Sequence, residues 1–505
     1  TDETGIDDLG GANQINSRTN STTKTAINSF LGRANYIFDN KYLFTVSYRA
    51  DGSSVFGENT KWGYFPSGSL AWKASEEGFI KDLNVFSDLK LRSSWGKTGN
   101  QGILPYQTLA SVTSGYNYPY LGDGSTSIGF ALGNAANPNL KWETTTQIDL
   151  GLDLGFFNQR LTATIDAYKK KTDDLLLNQQ LAGYTGFSTI LTNIGSVENK
   201  GLEISIGATP ISQKDFSWTT NFNISFNRSK ILALATSAPL QVITNTGGGY
   251  NIWKNGAWSL KNLVVGQPVE QMYGYICMGT WSEAERAEAL KYGQLPGDQK
   301  WKDVNGDGKI TKAGDGNEII GNASPNYIFG WNNTFNYKNF NLSFLIQGTQ
   351  GNKIFNAVRI KTEAPNYGTG VNLNNRWTSE NQNTDVPAFT DSQTRNIQLQ
   401  GYSSKISIGA DNRSSRYIED GSYIRLKNIT LTYSIPQPLL NGIKVSKLSV
   451  FLSASNLITI TNYSGYDPEV SSFNKGSRVR AGGLGIDLSN YPTAKTVSCG
   501  INLTF

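Results

Sequence analysis

The chain has 505 residues, with 45 Lys and Arg against 40 Asp and Glu for a formal net charge of +5, and it is rich in Gly (53), Tyr (24), Phe (23) and Trp (11) with only 15 Pro. So even a balance, with no basic block to track phosphates, argues against a nucleic-acid partner, and the composition favours strands, tight turns and aromatic anchors. Histidine is absent, which excludes Ser-His-Asp and Cys-His nucleophilic systems, His-ligated zinc and a His general base within the chain.

Cys277 and Cys499 stand far apart and argue no disulfide framework. No apolar run reaches the roughly 18 residues of a membrane helix, and the opening TDETGIDDLGG is unlike a signal peptide. The chain is therefore soluble, or its membrane surface is hidden in alternation.

Taken in chain order, the expected strands are 27–38, 41–51, 62–73 and 87–97, then 147–156 and 161–168, then 198–208 and 218–226, then 326–337 and 340–350, and finally 421–435, 446–457 and 496–505. The clearest is 147–156, which sets Ile148, Leu150, Leu152, Leu154 and Phe156 on one face and Gln147, Asp149, Gly151, Asp153 and Gly155 on the other. In 161–168, Leu161, Ala163, Ile165 and Ala167 oppose Thr162, Thr164, Asp166 and Tyr168; in 218–226, Trp218, Thr220, Phe222, Ile224 and Phe226 oppose Thr219, Asn221, Asn223 and Ser225. Repeats of about nine to eleven residues suit a tilted membrane strand, whereas soluble sandwich strands are usually about five to six residues long. The connections alternate between brief ones, such as Asp39-Asn40 and Lys338-Asn339, and long ones at 98–140, 227–325, 351–420 and 458–495. Outer-membrane barrels pair short periplasmic turns with long outer loops in this way. The expected class is all-β, a transmembrane antiparallel β-barrel. An odd number of strands, ending in the periplasm, would start outside, so residues 1–26 read as an outer loop continued from an N-terminal half and 27–505 as the C-terminal part of the barrel. The last strand places Val497, Cys499, Ile501, Leu503 and the terminal Phe505 on the lipid face, with Cys277 in an outer loop.

Several segments resemble the SusC/RagA transporters of Bacteroidota outer membranes: GRANYIFDNKYLFTVSYRADGSSVFG (32–57), WGYFPSGSLAW (62–72), LKLRSSWGKTGNQGILPY (89–106), NPNLKWETTTQIDLGLD (137–153), TNIGSVENKGLEISI (192–206), PGDQKWKDVNGDGKIT (296–311), FNLSFLIQGTQGNKIFN (340–356), DGSYIRLKNITLTYSIP (420–436) and NLITITNYSGYDPEV (456–470). Their collinear succession spans almost the whole chain. The resemblance implies a barrel of about 22 strands, a plug and a TonB box that these residues do not include, and a SusD-like lipoprotein lid. It further implies TonB-driven import of oligosaccharides or peptides at the outer membrane, and pairs of transporter–lid units. The alternative is a passive glycan-binding barrel or a secreted adhesin. Glycan cleavage by a pair among Asp149, Asp153, Asp166 and Glu203 is a further reading, set against polar lining of a water-filled interior.

Two groups of residues are candidate sites. Asp303, Asn305, Asp307, Lys309 (through its carbonyl) and Thr311 have the oxygen spacing of a Ca²⁺ loop, with a turn glycine at Gly306; Gly314 occupies the position of the usual bidentate acid, so Asp315 or Glu318 must complete the shell. The other reading is a metal-free Asx-rich turn. Tyr116, Tyr118 and Tyr120 in one loop, and Tyr250, Trp253, Trp258, Tyr273 and Trp281 in another, offer flat rings that stack on sugar faces or peptide side chains, or instead pack the loops or meet the lid. Gly96-Lys97-Thr98 lacks the upstream glycine of a phosphate loop, and the Asn227-Arg-Ser229 and Asn428-Ile-Thr430 sequons match chance.

Overall fold

The computed structural model describes residues 23–114, 118–119, 126–127, 130–187, 189–234, 240–241, 260–363, 374–389, 404, 406–407, 413–440, 445–470 and 483–504. Thirteen strands form one antiparallel sheet in strict chain order: β1 (Ile27–Phe38), β2 (Tyr42–Ser53), β3 (Trp62–Lys73), β4 (Phe86–Asn100), β5 (Glu143–Phe156), β6 (Leu161–Asp173), β7 (Ser196–Ser212), β8 (Phe216–Ala233), β9 (Tyr327–Tyr337), β10 (Phe340–Gln350), β11 (Tyr423–Ser434), β12 (Lys447–Thr461) and β13 (Thr496–Thr504). Each expected strand is present. Several run longer than alternation alone suggests: toward the long loops β6 continues from Tyr168 to Asp173 and β8 from Phe226 to Ala233, and toward a short turn β7 continues from Ala208 to Ser212. In the added part of β6, Lys169 to Asp173, both faces are polar, so the period-two signal disappears while the backbone pairing does not.

Registers line up the apolar residues across the sheet. Phe156 opposes Phe86 and Leu161, Leu152 opposes Leu91 and Ile165, and Ile204 joins Ile165 to Ile224. On the C-terminal side Leu342, Leu431, Leu452 and Cys499 continue the same face. This face is open: Val46, Leu70, Leu150, Leu452 and Ile501 are each more than 40% exposed. A contiguous apolar surface this broad marks a membrane or an interface. At the short-turn end it carries a row of ring pairs, Phe38–Tyr42, Phe86–Phe156, Trp218–Phe335 and Phe340–Tyr433, with centroids 6.4, 5.3, 5.6 and 4.7 Å apart. Amphipathic rings concentrate where a bilayer meets water. Asn333, a polar residue on this face, accepts the Trp218 indole N–H at 3.1 Å, and Trp331 donates to Thr220 at 2.8 Å, so indoles satisfy oxygens that lipid could not.

The turns confirm the two unequal ends. Asp39 and Asn40 adopt φ of 51° and 54°, and Phe157, Asn158 and Gln159 are also left-handed, the conformation that brief hairpins need and that Asn and Asp tolerate best. Among the described residues, β1 pairs only with β2 and β13 only with β12, and the sheet does not close on itself. No helix of the described residues is long and apolar enough to cross a membrane.

The long connections are not structureless. Lys353–Asn356 pairs with Ile418–Asp420 and Ile486–Asp487, and Gln271–Gly274 pairs with Glu318–Asn322. Leu260, Met272, Ala323, Phe355, Ala357, Tyr417 and Ile486 form a buried cluster drawn from three different connections. The main apolar core of the described residues thus lies at the long-loop end of the sheet, where the loops pack on one another.

Candidate functional site

The inward face of the sheet is polar and internally paired. Arg92 on β4 donates to both Asp153 oxygens, at 2.8 and 3.0 Å, and reaches Asp166 on β6 at 2.8 Å; Lys90 adds an ion pair to Asp153 at 3.4 Å. The guanidinium crosses β5 because Gly151 leaves the path free: a Cβ there would lie 2.5 Å from Asp166 and 2.6 Å from Arg92. Asp153 and Asp166 are therefore bridged by a cation and are not arranged as an acid and base about a substrate. Asp149 and Glu203 lie on the same inward face, in register with Tyr168 and Asp166. Arg92 was not singled out by sequence, although its odd-even position relative to Leu91 places it inward.

A second inward cluster fastens the last long connection to the wall. Arg425 on β11 is 3% exposed and donates to Thr459 at 2.9 Å, Glu469 at 2.8 Å and Asp467 at 2.6 Å. Glu469 also accepts from Tyr423 at 2.6 Å and Gln347 at 2.7 Å and pairs with Lys427 at 3.1 Å. Lys427, two residues on, shares that face by alternation, and a bulge between Leu426 and Asn428, opposite the left-handed Asn456, then shifts the phase of the rest of β11. Burial alone would raise the Asp467 carboxyl, but hydrogen bonds from Thr493, the Glu469 amide and Arg425 outweigh it and hold the group at about 2. Deeper in the loop layer, Glu363 is enclosed between Arg359, at 2.6 Å, and Arg416.

The expected Ca²⁺ loop has the turns its sequence requires. Gly306 and Gly308 adopt φ of 72° and 74°, and Asp303 accepts from both of their amides at 2.7 Å. Asp307 accepts from the Lys309 amide at 2.8 Å, Asn305 accepts from the Asp307 amide at 3.1 Å, and the Thr311 hydroxyl accepts from Gly314 at 3.0 Å. Asp315, 1% exposed, accepts from Val304 and Thr311, both at 2.8 Å, and so closes the loop with its carboxylate. Among the described residues no three acidic or cysteine side chains converge as ligands. As arranged, the donors are the right type, while the carboxylates serve backbone amides.

Of the expected ligand-contacting aromatics, Tyr116, Trp253 and Trp258, with Tyr120 and Tyr250, lie outside the described residues; Tyr118 is placed by its backbone alone, in Tyr118–Pro119. Tyr273 and Trp281 are buried, and Trp281 donates to Gln294 at 2.7 Å under the Lys300 ammonium. These two pack the loop. Sequence reasoning missed a cavity of about 430 Å³ between two of the long connections, lined by Arg286, Leu295, Pro296, Trp377, Ala388 and Phe389. Cys277 is half-buried and Cys499 exposed on the apolar face, and both thiols are free.

Comparison with known proteins agrees with this geometry. Residues 1–457 match the family model for the β-barrel of TonB dependent receptor-like proteins. TonB-dependent receptor P3 of Formosa agariphila is 35% identical over 95% of this chain and 46% of its own length, and TonB-dependent receptor SusC of Bacteroides thetaiotaomicron is 34% identical over 97% and 45%. The RagAB peptide transporter superposes with a TM-score of 0.74 at 28% identity, over 98% of this chain and 50% of the matched one. The chain spans about half the length of these relatives. The apolar outer band, the polar ion-paired inner face and the loop-built mouth are those of an outer-membrane β-barrel, and the chain belongs to the TonB-dependent receptor family, among its SusC/RagA-like members.

Proposed function

We propose that this chain is the C-terminal part of an importer that takes up oligosaccharides or peptides across the outer membrane, driven by TonB and working with a SusD-like surface lipoprotein as lid. The observation that carries the reading is the two-faced sheet, apolar outside from β1 to β13 and polar within, on a chain of this family. The inner ion pairs line a path for polar cargo, and the loop layer above it holds ligand before release inward. Further strands and a plug from outside this chain complete a barrel of about 22 strands, and the C-terminus faces the periplasm; of the segment 1–26 expected as an outer loop, residues 1–22 lie outside the described residues. The RagAB likeness supports peptide as cargo; the candidate contacts Tyr116, Tyr118, Trp253 and Trp258 serve either ligand by stacking. Ca²⁺ at Asp303, Asn305, Asp307, Lys309, Thr311 and Asp315 clamps the longest outer connection. Two transporter–lid pairs associate.

The test is purification from native membranes in detergent, followed by mass spectrometry of what accompanies the chain. A lipoprotein partner, a plug-bearing portion and an enclosed oligomer are the expected companions. Retention of ligand lost in Trp253→Ala and Trp258→Ala, with the barrel intact, extends the reading to those rings. A chain that binds glycan without a partner and supports no energised uptake would indicate the passive barrel or adhesin.

A further inference from the structure

The outward face changes character at one level of the sheet. Below it β5 to β8 present Leu150, Ala167, Leu202 and Phe226; one step toward the long loops β6, β7 and β8 present Lys169, Lys200 and Arg228, while β5 presents Ile148. Lys171 and Lys230 lie one step higher, and Lys97 on β4 joins through Thr146. Registers put Lys169 directly opposite Lys200, and Lys200 directly opposite Arg228. Like charges directly across a ladder destabilise it, so three cations abreast are a cost the fold does not need. Two carboxylates offset it only in part. Glu198 pairs with both Lys169 and Lys200 at 2.9 Å, and Asp173 pairs with Lys171 at 2.9 Å. Six cations face two anions, and each bridged ammonium keeps further N–H donors. Arg228 is held in place by the Asn326 and Pro325 carbonyls at 2.9 and 3.4 Å. Lys169, Lys171 and Lys200 remain 54, 47 and 59% exposed along their side chains.

We infer that this belt binds the phosphate groups of an anionic lipid headgroup in the leaflet on the long-loop side. Its lower edge is continuous with the apolar band, so a lipid whose chains cover Leu150, Leu202 and Phe226 has its headgroup at Lys169 and Lys200. Four strand spacings from β4 to β8 make the belt about 19 Å wide, which suits a headgroup with more than one phosphate. The neighbour Lys170 points to the opposite face, with its ammonium 4.6 Å from the Tyr168 ring. It provides an internal control. The inference rests on the apolar face meeting lipid, and it does not depend on what the barrel carries.

The experiment uses the full-length transporter, delipidated in detergent, with retained lipid counted by native mass spectrometry. The probes are bisphosphorylated lipid A and the same lipid after dephosphorylation. Wild type is expected to prefer the phosphorylated probe, and Lys169→Gln/Lys200→Gln/Lys230→Gln to lose on the order of a hundredfold in affinity for it, while Lys170→Gln keeps the preference. Equal binding of both probes by wild type, or an undiminished preference in the triple variant, overturns the inference. An equal loss in Lys170→Gln also overturns it, since that residue lies on the other face. Resistance of the unheated variant to detergent denaturation checks that the barrel has folded. A chain that stays in water without detergent overturns the membrane reading itself, and with it this inference.

Discussion

Replacing Arg425 by Met removes the guanidinium that ties the connection after β12 to the barrel wall while keeping most of the apolar volume. The arginine is 3% exposed and makes charged hydrogen bonds to Asp467 and Glu469 at 2.6 and 2.8 Å. Breaking a buried pair on one side costs about 3–5 kcal/mol, because the remaining charge stays buried. Here the penalty is smaller. Asp467 keeps the amides of Glu469 and Thr493, at 2.9 and 2.8 Å, and Glu469 keeps Tyr423, Gln347 and Lys427. A local loss of about 2–3 kcal/mol follows, which corresponds to a roughly 30- to 150-fold larger open population. The assay is hydrogen exchange of the intact protein in detergent, followed at the Glu469 and Thr493 amides. Exchange there should accelerate by that factor while amides in β5 and β6 stay unchanged. Adding Asp467→Asn should return part of the loss by removing the orphaned charge. Exchange within twofold of wild type, or a uniform acceleration across the sheet, would refute the reasoning.

Four other outcomes follow from named contacts. The Asp467 carboxyl, held at about 2, lies below its unfolded value of about 3.9; its contribution is therefore complete above pH 4 and lost as pH falls through about 2, and exchange at Thr493 measured from pH 5 downward should show protection failing only in that window. Gly151→Ala should push Arg92 off Asp166 at a cost of about 1–3 kcal/mol, lowering the temperature at which the barrel unfolds in detergent, whereas Gly32→Ala, with nothing within 4 Å of the new methyl group, should leave it unchanged. Calorimetry of the intact protein should give a Ca²⁺ binding heat that Asp303→Ala abolishes; no heat in wild type removes the metal and leaves a hydrogen-bonded turn. In membranes, Cys499 should react with a lipid-soluble maleimide and resist a water-soluble one, while Cys277 reacts slowly with either, since burial pushes its thiol up against the opposing Gly279 and Gln299 hydrogen bonds.

Strand positions and faces were legible in the sequence because a membrane strand must alternate: Ile148, Leu150 and Leu152 have no other way to meet lipid while Asp149 and Asp153 stay wet. The hairpins closed by brief links were legible too, since a link such as Asp39-Asn40 leaves room only for neighbouring antiparallel partners. Loop lengths, the Asp303 turn and the outward position of Cys499 required nothing beyond local spacing. What only the tertiary structure decided are contacts between residues distant in the chain. Arg92 bridges Asp153 and Asp166 through a gap left by Gly151, Arg425 holds Asp467 and Glu469 from the far side of a bulge, and Leu260, Phe355 and Ile486 meet from three separate connections. The row Lys169, Lys200 and Arg228 belongs to the same class. Each of those residues, read along its own strand, is an ordinary charge beyond an apolar run, and only the register sets them side by side.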